Sequence, residues 1–89
     1  MKLRLFTLPN CPRCPVAKAV AEDVVGRRKD VTLEVLDMSD SNNMVTALMM
    51  QIASTPSFAI DDTPIFLDGV PSAEELNARI DDYKRRLKP

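Results

Sequence analysis

The apolar residues switch from the period of a strand to the period of a helix between residues 9 and 15. That switch constrains the fold more than any other feature of the chain. Before it, Leu3, Leu5, Phe6 and Leu8 crowd the segment 1–8, which reads as a short strand buried on both faces. Pro9 and Asn10 end the run. After it, Val16, Val20 and Val24 recur every four residues with Ala17 and Ala21 alongside, so the spacing predicts a helix over about 12–28. Gly26 and the charged residues of 27–30 close that helix.

The rest of the chain continues the alternation. Val31, Leu33 and Val35 alternate with Thr32 and Glu34 and predict a second strand. Residues 37–43 are polar, and Asp40 or Ser41 is placed to cap a helix. Met44, Val45, Leu48, Met49 and Ile52 then repeat at helical spacing, and this methionine-rich face is expected to fill core. Phe58, Ala59 and Ile60 read as a third strand. Asp61 and Asp62 turn the chain into a fourth strand that Pro64 marks as an edge. Asp68 and Gly69 form a further turn. Ser72 and Glu75 have the spacing of a capping box ahead of Leu76, Ile80, Tyr83 and Leu87, which predict a terminal amphipathic helix. The order is βαβαββα. The first two strands, joined through a helix, are expected to be parallel with a right-handed crossover, and the last two antiparallel. An α/β fold follows, with a four-stranded mixed sheet and three helices on its two faces.

Length and charge narrow the functions. A chain of 89 residues is expected to form one domain spanning 1–89. The hydrophobic fraction of 45% suits a globular protein. With 12 basic and 13 acidic side chains the net charge is -1, which argues against nucleic acid as a partner. The basic residues Lys84, Arg85, Arg86 and Lys88 read as a solvated helix end opposing the helix dipole. No apolar run is long enough to span a membrane, and the run near the N-terminus is too short for a signal-peptide core. The expected setting is cytoplasmic, and the expected state is a monomer.

Only two cysteines are present, in Asn10-Cys11-Pro12-Arg13-Cys14-Pro15, where the first strand hands over to the first helix. A disulfide scaffold would use more cysteines across longer loops. Unpaired N–H groups at a helix N-terminus stabilise a thiolate, so this position favours redox chemistry. Cys11 is the expected nucleophile. Cys14, one turn further in and more buried, is the expected attacker of the mixed disulfide. Pro12 is expected to preset the first helical turn, with Pro15 also tolerated there. Arg13 is expected to favour the thiolate or an acidic partner. The same pair also suits a metal-binding or metal-delivery module, although there is no histidine and no second cysteine pair. Two inert thiols are the third reading.

These motifs give the chain a resemblance to the thioredoxin superfamily, especially its compact archaeal and bacterial thioredoxin and glutaredoxin-like members. Cys11-Pro12-Arg13-Cys14 after a strand, Thr55-Pro56 before a later strand, and the strand–turn–helix from Leu67 to Val70 carry it. The resemblance implies a cis peptide bond at Pro56 facing the disulfide. It also implies that the backbone at Thr55 pairs with an extended substrate segment. The chain departs from the family pattern in having no tryptophan, no acidic residue within Leu3 to Leu8, and only Gly69 where glutaredoxins carry paired glycines. The implied activity is reduction of protein disulfides with no bound cofactor and no metal. A flavin-dependent reductase is the expected electron source, and glutathione is the alternative.

Overall fold

The computed structural model describes residues 1–87, so Lys88 of the basic cluster lies outside the described residues. The elements are β1 (Lys2–Thr7), α1 (Cys14–Gly26), β2 (Thr32–Asp37), α2 (Ser41–Met49), β3 (Ser57–Ile60), β4 (Thr63–Phe66) and α3 (Ala73–Leu87). Their order is the one that hydrophobic periodicity predicts. The sheet runs β2-β1-β3-β4. β1 pairs in parallel with β2, from Lys2 opposite Thr32 to Thr7 opposite Asp37. β1 is antiparallel to β3, and β3 to β4, so Pro64 does lie on an edge strand.

Alternate residues of β1 serve two separate cores. Leu3 and Leu5 join Phe58 and Ile60 beneath α1 and α3, where Ala17, Ala21, Val24, Leu76 and Ile80 are buried. Phe6 and Ala59 face the other way and pack with Met38, Ala47 and Ile52. β1 is therefore buried on both faces only in part, because Arg4 is half-buried and Lys2 exposed.

In the residues they bury, α1 departs from expectation at Val16 alone, and α2 across its methionine-rich face. On α1 the buried residues are Cys14, Ala17, Ala21 and Val24, while Val16 is 56% exposed. A four-residue repeat drifts by about 40° per step around a helix, so the valine row leaves the core before it reaches the first turn. On α2 the methionine-rich face does not fill core: Met44, Val45, Leu48 and Met49 are exposed, Met49 by 81%. Only Ala47, on the opposite side of that helix, is buried within it, and Ile52 follows it into the same core. α2 packs through a small residue against the sheet and leaves its larger apolar side chains outside.

The caps follow the sequence closely. The Asp40 side chain accepts from the backbone of Asn42 and Asn43 at the start of α2. The Ser72 backbone N–H donates to Glu75 at 3.0 Å, and the Glu75 N–H donates to Ser72 Oγ at 3.1 Å, a reciprocal box at the start of α3. The basic end of α3 is ion-paired: Lys84 reaches Asp30 at 2.6 Å, and Arg85 and Arg86 reach Asp82. Arg28 completes the Asp30 cluster, binding Asp30 at 3.0 Å and Asp81 at 2.8 Å. The Asp30 carboxyl is held far below the usual carboxylate range, chiefly by the Arg28 hydrogen bond and then by Lys84.

Candidate active site: a disulfide at the head of the first helix

Cys11 and Cys14 are joined in a disulfide with their Cα atoms 5.4 Å apart. α1 begins at Cys14, two residues later than expected, with Arg13 as its cap and Pro15 in the first turn. Pro12 therefore precedes the helix rather than opening it. A residue before proline is pushed away from helical geometry, so Pro12 keeps Cys11 in the preceding turn. There the Cys11 N–H donates to the Leu8 carbonyl at 3.2 Å. No side chain caps α1. Cys11 is half-buried, while Cys14 is 5% exposed.

The pairing of Phe6 with Ser57 puts the loop after β1 and the loop before β3 at the same end of the sheet. That second loop contains Thr55 and Pro56, and the Thr55–Pro56 peptide bond is cis. Thr55 is half-buried and Pro56 fully buried. Among the described residues, the backbone N–H and C=O of Thr55 take part in no backbone hydrogen bond.

A polar link that sequence reasoning missed ties this loop to the turn before α3. Ser57 is fully buried; its hydroxyl donates to the Ser54 carbonyl at 2.8 Å and accepts from the Asp68 N–H at 3.2 Å. The Gly69 N–H donates to the Pro56 carbonyl at 3.1 Å. Asp68 takes the left-handed turn conformation, with φ 57°. Its carboxylate accepts from Arg13 at 3.0 Å, so the guanidinium of Arg13 is engaged within its own chain. The available signal for Ser57 was a single hydroxyl beside the apolar run Phe58-Ala59-Ile60.

On the other side of the disulfide lies an open groove of about 330 Å³. Thr7, Leu8 and Pro9 form one wall, and Val35 of β2 another. Both cysteines, Pro15 and Lys18 line it from the helix side. Among the described residues there is no group of three or more histidine, cysteine, aspartate or glutamate side chains placed to hold a metal ion. No helix among them is long and apolar enough to cross a membrane.

A mixed sheet of this order, with a two-cysteine disulfide at the first strand–helix junction, defines a dithiol–disulfide oxidoreductase of thioredoxin-like fold. The comparisons agree. A thioredoxin domain family matches residues 1–81. The thioredoxin of Methanocaldococcus jannaschii is 34% identical over 87 residues, covering 98% of this chain and 96% of its own. A probable thioredoxin of Archaeoglobus fulgidus is 34% identical over 86 residues, covering 97% and 88%. The crystal structure of a thioredoxin-like protein superposes with a TM-score of 0.65 at 24% identity, covering 86% of this chain and 97% of its own. A malarial protein superposes at 0.72 with 19% identity, covering 91% and 93%. The chain belongs to the thioredoxin family.

Proposed function

We propose that this chain carries electrons to the disulfides of other proteins through Cys11 and Cys14, acting as one domain and as a monomer in the cytoplasm. The observation that carries the reading is the unequal exposure of two cysteines within one disulfide. Cys11 stands half-open in a turn, and Cys14 is nearly closed off at the first position of α1. A substrate disulfide reaches the open sulfur first.

In the reduced protein, the Cys11 thiolate attacks one sulfur of a substrate disulfide, and the other leaves as a thiolate that takes a proton from solvent. The Cys14 thiolate then attacks Cys11 Sγ. The bond between Cys11 and substrate breaks, the electron pair leaves on the substrate sulfur, and the Cys11–Cys14 disulfide remains. The uncapped start of α1 favours the thiolate forms. Pro12 holds Cys11 outside the helix, and Arg13 adds positive charge beside the pair. The free backbone of Thr55, ahead of Pro56, offers an extended substrate segment a strand to pair with. A flavin-dependent thioredoxin reductase returns the pair to the dithiol; glutathione is the second candidate for that role. The metal-delivery reading lacks a third ligand beside the two sulfurs among the described residues.

The test combines two variants with a potential. Cys11→Ser is expected to abolish reduction of a disulfide-bonded protein substrate. Cys14→Ser is expected to accumulate a covalent complex with it, visible on a non-reducing gel. Equilibration in thiol–disulfide buffers is expected to give a potential near about −270 mV. Normal turnover by Cys14→Ser with no trapped complex would overturn the assigned roles.

A further inference from the structure

Cys14 must lose a proton before it can attack, and its surroundings supply few charges. It is nearly buried, and burial in apolar surroundings disfavours a thiolate. The β-strand preceding the motif carries no carboxylate within Leu3 to Leu8 that would take the proton. The groove beside the disulfide shows what is there instead. Thr7 of β1, Leu8 and Pro9 of the loop after it, and Val35 of β2 line it, and none of them ionises. Asp37, two positions further along β2, is held by the hydroxyl and backbone N–H of Ser39. On the far side, Arg13 is engaged by Asp68. The remaining titratable groups in the groove are the two cysteines and Lys18.

Lys18 lies four residues after Cys14 on α1, one turn on and about 40° around the helix. Helical side chains lean toward the N-terminus, so a long side chain at this position covers the turn that holds Cys14. Among the described residues Lys18 makes no ion pair, although Asp23 on the same helix pairs with Arg27.

We infer that Lys18 is the positioning residue for the second step, its ammonium favouring the Cys14 thiolate from the next turn of the same helix wall of the groove. The proton of Cys14 passes to water in the open groove. The thiolate so formed attacks Cys11 Sγ, and the electron pair leaves on the substrate sulfur. Lys18 donates no proton and forms no bond. This inference rests on the dithiol mechanism proposed above.

A stopped-flow experiment separates the two steps. The reduced protein is mixed with one equivalent of dithiodipyridine, a neutral disulfide whose thiopyridone product absorbs in the near ultraviolet. Attack by Cys11 releases the first thiopyridone, and attack by Cys14 on the mixed disulfide releases the second. Lys18→Met is expected to slow the second release about tenfold at neutral pH, with the deficit closing as the pH is raised. Its first release is expected to change less than about twofold, because Cys11 sits outside the helix turn that Lys18 covers. Lys18→Arg is expected to restore the second release. An unchanged second phase in Lys18→Met, or an equal slowing of both phases, overturns the role of Lys18. So does a failure of Lys18→Arg to restore it. Release of a single equivalent by the wild-type protein overturns the dithiol mechanism itself, and this inference with it.

Discussion

The guanidinium of Arg13 meets the carboxylate of Asp68 at 3.0 Å, so the cap of the helix that carries Cys14 is bound to the turn that opens toward α3. The two side chains are 53% and 60% exposed, so the bond adds little stability, below about 1 kcal/mol. Asp68 engages the charge of Arg13, which stands between Cys11 and Cys14 in the chain. Asp68→Asn is therefore expected to raise the rate of Cys11 alkylation by iodoacetamide about threefold below neutral pH. Added salt is expected to shrink the difference. An equal rate in both proteins would mean that Arg13 and Asp68 do not act on the sulfur.

Ser57 is the junction between the Thr55–Pro56 loop and the Asp68 turn. Ser57→Ala removes one donor and one acceptor from a fully buried position, leaving the Ser54 carbonyl and the Asp68 N–H unpaired there. The expected loss is about 1–3 kcal/mol in urea unfolding. Because the Asp68 turn loses one of its two anchors to this loop, the Arg13–Asp68 pair is loosened and Cys11 alkylation is expected to change in the direction of Asp68→Asn. A stability loss with no change in alkylation would confine Ser57 to a structural part.

The two sides of α2 are expected to respond oppositely to substitution. Ile52 is buried in the core with Phe6, Met38 and Ala59, so Ile52→Ala is expected to cost about 2–5 kcal/mol. Met49→Ser alters a side chain standing in solvent and is expected to change stability by less than about 0.5 kcal/mol. Thermal unfolding of the two variants distinguishes this arrangement from one in which the methionines are core.

Acid is expected to weaken the Asp30 cluster. Hydrogen bonds from Arg28 and Lys84 depress the Asp30 carboxyl in the folded protein. Glu75, accepting from Ser72, and Asp37, accepting from Ser39, are lowered in the same direction. A carboxyl depressed on folding contributes its stabilisation above the unfolded value, near about 3.9 for aspartate. It loses that contribution as the pH falls toward the folded value. Asp30→Asn is expected to be less stable than wild type at neutral pH, with the gap narrowing below about pH 4. A gap constant over that range would mean that Asp30 contributes by packing rather than by charge.

What the sequence disclosed follows a physical division. The Ser72 and Glu75 box, the Asp40 cap and the two short turns depend on neighbours within a few residues, and each forms as its spacing implies. The disulfide and its place at a strand–helix junction were legible for the same reason. Faces were harder to assign. Apolar spacing over Met44 to Ile52 establishes an amphipathic helix but says nothing about what lies opposite, and here the sheet accepts Ala47 instead. On α1 only Val16 misleads, because Cys14 and Ala17, small enough for close packing, hold the inward face at that end while Val24 keeps its place in the core. Asp68, Ser57 and Lys18 gain their significance only when distant segments meet, so no local pattern marks them.

The ion pairs also record how charge is distributed along the chain. No lysine or arginine lies between Lys29 and Arg79, whereas aspartates and glutamates recur throughout that stretch. Lys2 and Arg4 accordingly reach Glu34, Arg4 reaches Asp62, Arg13 reaches Asp68, and Lys84 reaches Asp30. The polypeptide is in effect a block copolymer, with two basic ends and an acidic centre. Before folding, its ends repel each other and are each drawn to the middle. The resulting collapse favours the native sheet, in which Lys2 and Arg4 of the first strand meet Glu34 and Asp62 of the acidic centre.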